Sequence, residues 1–96
     1  MRNYKLEQLE EGKPFVTREF GNSMTPLLKS GQHHELSPTT IEEVEVGDIV
    51  YCKVKGKFYT HLVKAKDPKK GCQIGNNKGG INGWTKQVYG KVTKVI

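Results

Sequence analysis

The sequence predicts a mostly β domain, on three observations. Apolar residues fall in short Val/Ile/Tyr/Phe runs, eleven glycines punctuate the chain, and only 34% of its 96 residues are hydrophobic. Together these favour several short strands joined by turns over a helical bundle. A single domain of this length has its own core but buries only roughly 60 to 65% of the chain's surface. No segment repeats at a fixed period.

The elements follow in order. Tyr4 to Glu11 carries apolar residues at 4, 6 and 9 and stops at Gly12, the pattern of a short amphipathic helix with a glycine cap. Lys13-Pro14 ends it, and Phe15 to Phe20 reads as a first strand. Met24 to Gln32 is expected to form a turn of helix with an exit at Ser30-Gly31, and Glu35-Leu36-Ser37 a short strand before the loop at 38–40. Ile41 to Gly47 alternates loosely and delivers the chain to Asp48. The sharpest pattern comes next: Ile49 to Lys55, a turn at Gly56, and an antiparallel return over Lys57 to Lys64. Strand alternation puts Phe58, Thr60 and Leu62 on one face of the return and Tyr59, His61 and Val63 on the other, so His61 shares a side with apolar neighbours. Residues 67–71 form a surface turn, Cys72 to Ile74 a short strand, and Gly75 to Gly83 a glycine- and asparagine-rich loop that Trp84 anchors as core or rim. Gln87 to Ile96 closes as a last strand with Gly90 as a bulge or bend.

Composition narrows the chemistry. No apolar run approaches the ~20 residues of a spanning helix, and the N-terminal stretch lacks the apolar block of a secretion signal, which implies a soluble, cytoplasmic protein without a membrane anchor. Cys52 and Cys72 have neither CxxC nor Cys/His spacing and read as reduced, semi-buried thiols. There is no metal or cofactor signal: His33 and His34 are adjacent, would point to opposite faces of a strand, and read better as an exposed loop pair. Charge is divided unevenly. Residues 1–50 carry five Lys/Arg against nine Asp/Glu, and residues 51–96 carry eleven Lys against one Asp, which gives −4 and +10 and sums to +6. That basic half can attract nucleic acid or pair with the acidic strip at 42–48. With lysine only and few aromatics between, nucleic acid is weakly supported and solvated or self-paired lysines are favoured.

Ser23 stands where the first strand gives way to a Pro-containing turn, the one place where a hydroxyl is presented on a fixed backbone. A serine needs a base within hydrogen-bond reach, and a neutral imidazole is suited to take and return the proton. His61 is the candidate base, 38 residues on and on a different element. Backbone N–H groups near Ser23 could stabilise an oxyanion. The other readings stay open at this point: Ser23 as a turn-capping hydroxyl, His61 as a packed strand histidine, Asn76-Asn77 as turn residues, and Met24 and Pro26 as packing or substrate contacts.

The order of short blocks adds a resemblance. Ser23-Met24 with Pro26, Leu27 and Gly31, then Val46-Gly47-Asp48-Ile49-Val50, His61-Leu62-Val63, Gly75-Asn76-Asn77 and Tyr89-Gly90-Lys91-Val92 resemble the superfamily of signal peptidases and LexA/UmuD-type self-cleaving repressors over roughly residues 14–95. The Ser-Met-x-Pro block and the Gly-Asp-Ile-Val strand are its specific parts. The resemblance implies a strongly bent sheet or partly open barrel, with Ser23 as nucleophile and His61 as base in the manner of the endoplasmic-reticulum and archaeal branch. That branch has an aspartate in its downstream loop, where this chain has Asn76, which is therefore expected to orient His61 without a carboxylate's charge. The function implied is a Ser/His peptidase acting on an extended protein or peptide, with Met24 and Pro26 at the substrate. The alternative is a phage or mobile-element factor that has kept the fold, lost the chemistry and binds a protein or nucleic acid. Ser23→Ala separates the two.

Overall fold

The computed structural model describes residues 3–96, which build one helix and a single antiparallel sheet of seven strands. The elements are α1 (Tyr4–Glu10), β1 (Phe15–Arg18), β2 (His33–Pro38), β3 (Ile49–Val54), β4 (Lys57–Asp67), β5 (Gly71–Gly75), β6 (Ile81–Thr85) and β7 (Val88–Val95). In space the strands run β1-β2-β7-β3-β4-β5-β6, so β7 inserts between β2 and β3 and leaves β1 and β6 at the two edges. The sheet is open but bent. β6 comes over β3, where the Thr85 hydroxyl donates to the Lys53 carbonyl at 2.6 Å without forming a ladder.

β3 explains why the fold has two cores. Val50, Cys52 and Val54 face a cluster with Val44, Val63, Cys72, Ile74 and Val88. Ile49 and Tyr51 face the other way, into clusters built on Leu9 and Leu36 and on Met24, Leu28 and Leu62. A strand buried on both faces reads as a continuous apolar run, which is what Ile49 to Cys52 shows. The β3–β4 turn uses Lys55 (φ +50°) and Gly56 (φ +82°), the two left-handed residues that a tight right-twisted hairpin requires. On β4, Phe58 and Leu62 enter the second pair of clusters while Tyr59 and Val63 enter the first, as alternation predicts.

α1 starts at Asn3, whose Oδ1 accepts the Leu6 N–H at 2.9 Å, and closes one end of the sheet by seating Leu9 on β7. Gly90 makes that seat: a Cβ there would lie 2.8 Å from Leu9 Cδ1. The irregularity expected near Gly90 occurs beside it, where the β3–β7 register slips between Tyr51↔Gly90 and Cys52↔Val88.

Four local expectations change. His33 and His34 are not a loop pair but open β2, and His34 is 0% exposed, opposite Thr17 and Val95. Adjacent strand residues take opposite faces, so His33 is exposed while His34 joins the side of Leu36. Residues 24–32 form turns and no helix; one helix-like bond forms, from Leu28 N–H to the Met24 carbonyl at 3.0 Å. The 75–83 loop is shorter than expected, because Ile81 already starts β6. The two thiols are fully buried and unpaired. No helix among the described residues is long and apolar enough to cross a membrane.

Candidate functional site

The segment between β1 and β2 carries Ser23, and four contacts fix its course. The Gly31 N–H donates to the Glu19 carbonyl at 2.7 Å and the Gly21 N–H to Ser30 Oγ at 3.0 Å, which draws the two ends of the segment together. The Asn22 carbonyl accepts from both the backbone and the hydroxyl of Thr25. Met24 and Leu28 are buried against Leu62. An exposed serine is thus mounted on a buried methionine, next to the strand that carries His61.

A second loop holds the same segment from the other side. Asn77 donates its backbone N–H to the Ser23 carbonyl at 2.8 Å and its side-chain amide to the Thr25 carbonyl at 2.9 Å. Asn77 therefore positions the segment at two carbonyls.

Ser23 Oγ lies 3.1 Å from His61 Nε2. The ring is 9% exposed, stacks on Tyr59 with centroids 5.0 Å apart, and places Nδ1 2.7 Å from Asn82 Oδ1. These partners select one tautomer. The Asn82 carbonyl oxygen can only accept, so Nδ1 carries the hydrogen, and Nε2 of the neutral ring is left to accept the Ser23 hydroxyl proton. Lys64, three residues further along β4, has its Cε 3.0 Å from the place of a Cβ on Gly75 and is not among the residues lining the cleft beside Ser23.

The residue orienting His61 is Asn82 on β6, and not Asn76. The Asn76 side chain is engaged in its own loop, its Oδ1 accepting the N–H groups of Lys78 (2.9 Å) and Gly80 (2.8 Å), which folds 76–80 back on itself. Asn82, 21 residues from His61 in sequence, reaches the ring across β5.

A cleft of about 150 Å³ opens beside Ser23 and His61, lined by Glu19, Phe20, Met24, Phe58, Tyr59 and Thr60 among others. Met24 meets it from the core. Pro26 is exposed and is not among the residues lining the cleft. Glu19 forms part of the wall, with Oε1 accepting from the Thr60 hydroxyl at 2.7 Å and pairing with Lys5. Phe20 stands 74% exposed at the mouth, with the Arg18 guanidinium 5.2 Å above its ring. Of these wall residues the sequence marked only Met24. No protein family, curated protein or solved structure matches this chain.

Proposed function

We propose that the chain is a serine peptidase of the signal-peptidase/LexA type with a Ser23/His61 dyad, acting on an extended peptide. The observation that carries this reading is the continuous hydrogen-bonded line Ser23 Oγ, His61 Nε2, His61 Nδ1, Asn82 Oδ1, with spacings of 3.1 and 2.7 Å at its two ends. Ser23 attacks the peptide carbonyl carbon as its proton passes to Nε2. The imidazolium then gives that proton to the departing amine, which leaves an acyl ester on Ser23. Water, deprotonated by the same nitrogen, attacks the ester and returns the hydroxyl. Asn82 fixes the ring's orientation and tautomer and supplies no full charge to the imidazolium, so the dyad is slower than one backed by a carboxylate. The Ser23 N–H, which has no hydrogen-bond partner among the described residues, is oriented on the same turn as the nucleophile and is the candidate oxyanion donor.

The edge of the sheet supports an extended substrate. β1 pairs on one side only, with β2, and runs toward the cleft through Glu19 and Phe20. A peptide added along its free edge would satisfy the unpaired backbone groups and present a carbonyl near Ser23.

The test is labelling by a fluorophosphonate serine probe, followed by mass spectrometry of a digested peptide pool. Label on Ser23 and cleavage are expected, each reduced at least about 10³-fold in Ser23→Ala and in His61→Ala. Cleavage that persists in Ser23→Ala, or an unaltered chain that neither labels nor cleaves, overturns the assignment.

A further inference from the structure

The basic half of the chain is not neutralised by its own acidic strip. Of the eleven lysines after residue 50, one forms an ion pair among the described residues: Lys91, with Asp48 at 3.3 Å. Three of the remainder, Lys55, Lys70 and Lys86, lie around β6. Lys70 Nζ lies 5.3 Å above the ring of Trp84, the only tryptophan. At Gly83 (φ +139°) a Cβ would meet Lys55 Cε at 3.3 Å, so Lys55 lies against the strand one residue before Trp84. At Gly71 a Cβ would meet Lys86 Cγ at 2.9 Å, which puts Lys86 beside the residue that follows Lys70. Lys86 then lines a cleft of about 440 Å³ with Asp67, Glu42 and Lys66, whose Nζ is already engaged, donating to the Val44 carbonyl at 2.7 Å. Asp67 is held ionised beside them, its Oδ1 accepting the backbone N–H groups of Lys69 and Lys70 and the Lys70 charge adding to this, so it offsets one of the cluster's charges.

From this arrangement we infer that the β6 edge, with Lys55, Lys69, Lys70 and Lys86 around Trp84, is a binding surface for single-stranded nucleic acid, separate from the Ser23 cleft. Three features select the occupant. Lysines without arginines contact phosphates as point charges and do not read base edges, so the surface is sequence-tolerant. The half-buried indole offers a base a flat partner, and an aromatic set among backbone-tracking cations is how single strands are held. β6 is an edge strand paired only with β5 in the sheet, so an extended single strand can lie along its free side, where a duplex would meet it only through its rigid outer phosphates. An acidic protein would satisfy the charges and leave the indole without a role.

Trp84 is the only indole, so its fluorescence reports the event. Titration with a twelve-residue oligothymidylate in low salt is expected to quench it. Each single-strand phosphate contact contributes about −0.7 to the slope of log K against log salt, so four lysines give a slope of about −2.8. The double variant Lys70→Glu/Lys86→Glu should bind at least about tenfold more weakly, with the slope reduced by about 1.4. Lys94→Glu on β7, outside the cluster, and Ser23→Ala should each bind within about twofold of the unaltered chain. The salt slope is measured on the unaltered chain and needs no variant to fold. Three outcomes overturn the inference: no quenching at low salt, binding indifferent to the double variant, or a duplex of the same length bound as tightly as the single strand without quenching.

Discussion

Replacing His34 by leucine should make the protein more stable, and increasingly so as the pH falls. The imidazole is 0% exposed and neither ring nitrogen makes a hydrogen bond. A buried polar group left unsatisfied costs about 1–3 kcal/mol, and leucine fills a similar volume beside Leu36 without that cost. For a domain of this size, 1 kcal/mol moves the melting temperature by about 4–8 °C, so His34→Leu should melt at least about 4 °C higher at pH 7.5. The acid side adds a second term. Burial lowers the ring's pKa below its ordinary 6.5, and the neighbouring Lys5 and His33 charges push the same way; Glu19 and the Gln32 backbone oppose them, the latter without proper hydrogen-bond geometry.

The unfolded chain therefore takes up this proton before the folded one does. Stability from a neutral His34 is complete above about pH 6.5 and drains away as the pH falls from there toward the lowered folded-state value. Urea unfolding of the unaltered protein and of His34→Leu at pH 7.5 and 5.5 tests both terms, because other titrating groups cancel in the difference. The gap should be larger at pH 5.5. His34→Gln, polar but without a titrating ring, should flatten the pH dependence without raising stability at pH 7.5. A leucine variant that is less stable at both pH values, or a gap that does not change with pH, refutes the reasoning.

Two further outcomes follow from the site and the core. Asn82→Asp should raise peptide cleavage about tenfold or more at pH 8, by giving the imidazolium a carboxylate partner, whereas Asn76→Asp should leave it within about twofold; a gain at Asn76 in place of Asn82 would show that the orienting residue is misassigned. Burial pushes the Cys52 thiol up to about 12 and Cys72 also upward, and both are fully buried. At pH 8 only about one Cys52 in 10⁴ is thiolate, so Ellman's reagent should leave both thiols unmodified in the folded protein and titrate two in guanidinium; rapid labelling of the native state would contradict the packing around β3 and β5.

The parts of the fold that could be read from the sequence are those whose local pattern agrees with their final surroundings. β3 is an apolar run buried on both faces, β4 divides its side chains between the two cores, and the glycine turn between them has few other conformations to offer. The parts that were missed are those where tertiary contacts override the local signal. Met24 and Leu28 have helical spacing, yet Pro26 has no N–H and the segment is held by Asn77 and the Glu19 carbonyl, so turns result. β6 contains an asparagine and a glycine that count against a strand, but Gly83 is needed where Val54 and Lys55 press against it. His34 looks polar and is used as a core residue. A strand begun at Glu35 leaves it in the preceding loop; only with β2 extended back to His33 does alternation put it on the side of Leu36.

The candidate site divides the same way. Ser23 could be found because a strand-to-turn junction presents a hydroxyl, and His61 because alternation placed it among Tyr59 and Val63. Its orienting partner followed from neither. Asn76 and Asn82 sit in the same glycine-rich stretch with no difference in composition to separate them, and Asn76 had only the resemblance in its favour. What separates them is hydrogen-bond supply. Lys78 and Gly80 turn their N–H groups back onto Asn76 Oδ1, which engages the oxygen that would have to accept from His61. Asn82 lies beyond that turn, on a strand whose register with β5 slips between Ile74 and Gly75, and there its amide is free to meet the ring. The choice is made by the slipped register of the β5–β6 hairpin together with the β4–β5 pairing that sets His61 alongside it, and no spacing along the chain encodes that combination. Asparagine at position 82 also means that this line of contacts carries orientation without charge, so the Asn82→Asp comparison bears directly on whether the site is a slow peptidase or a binding cleft.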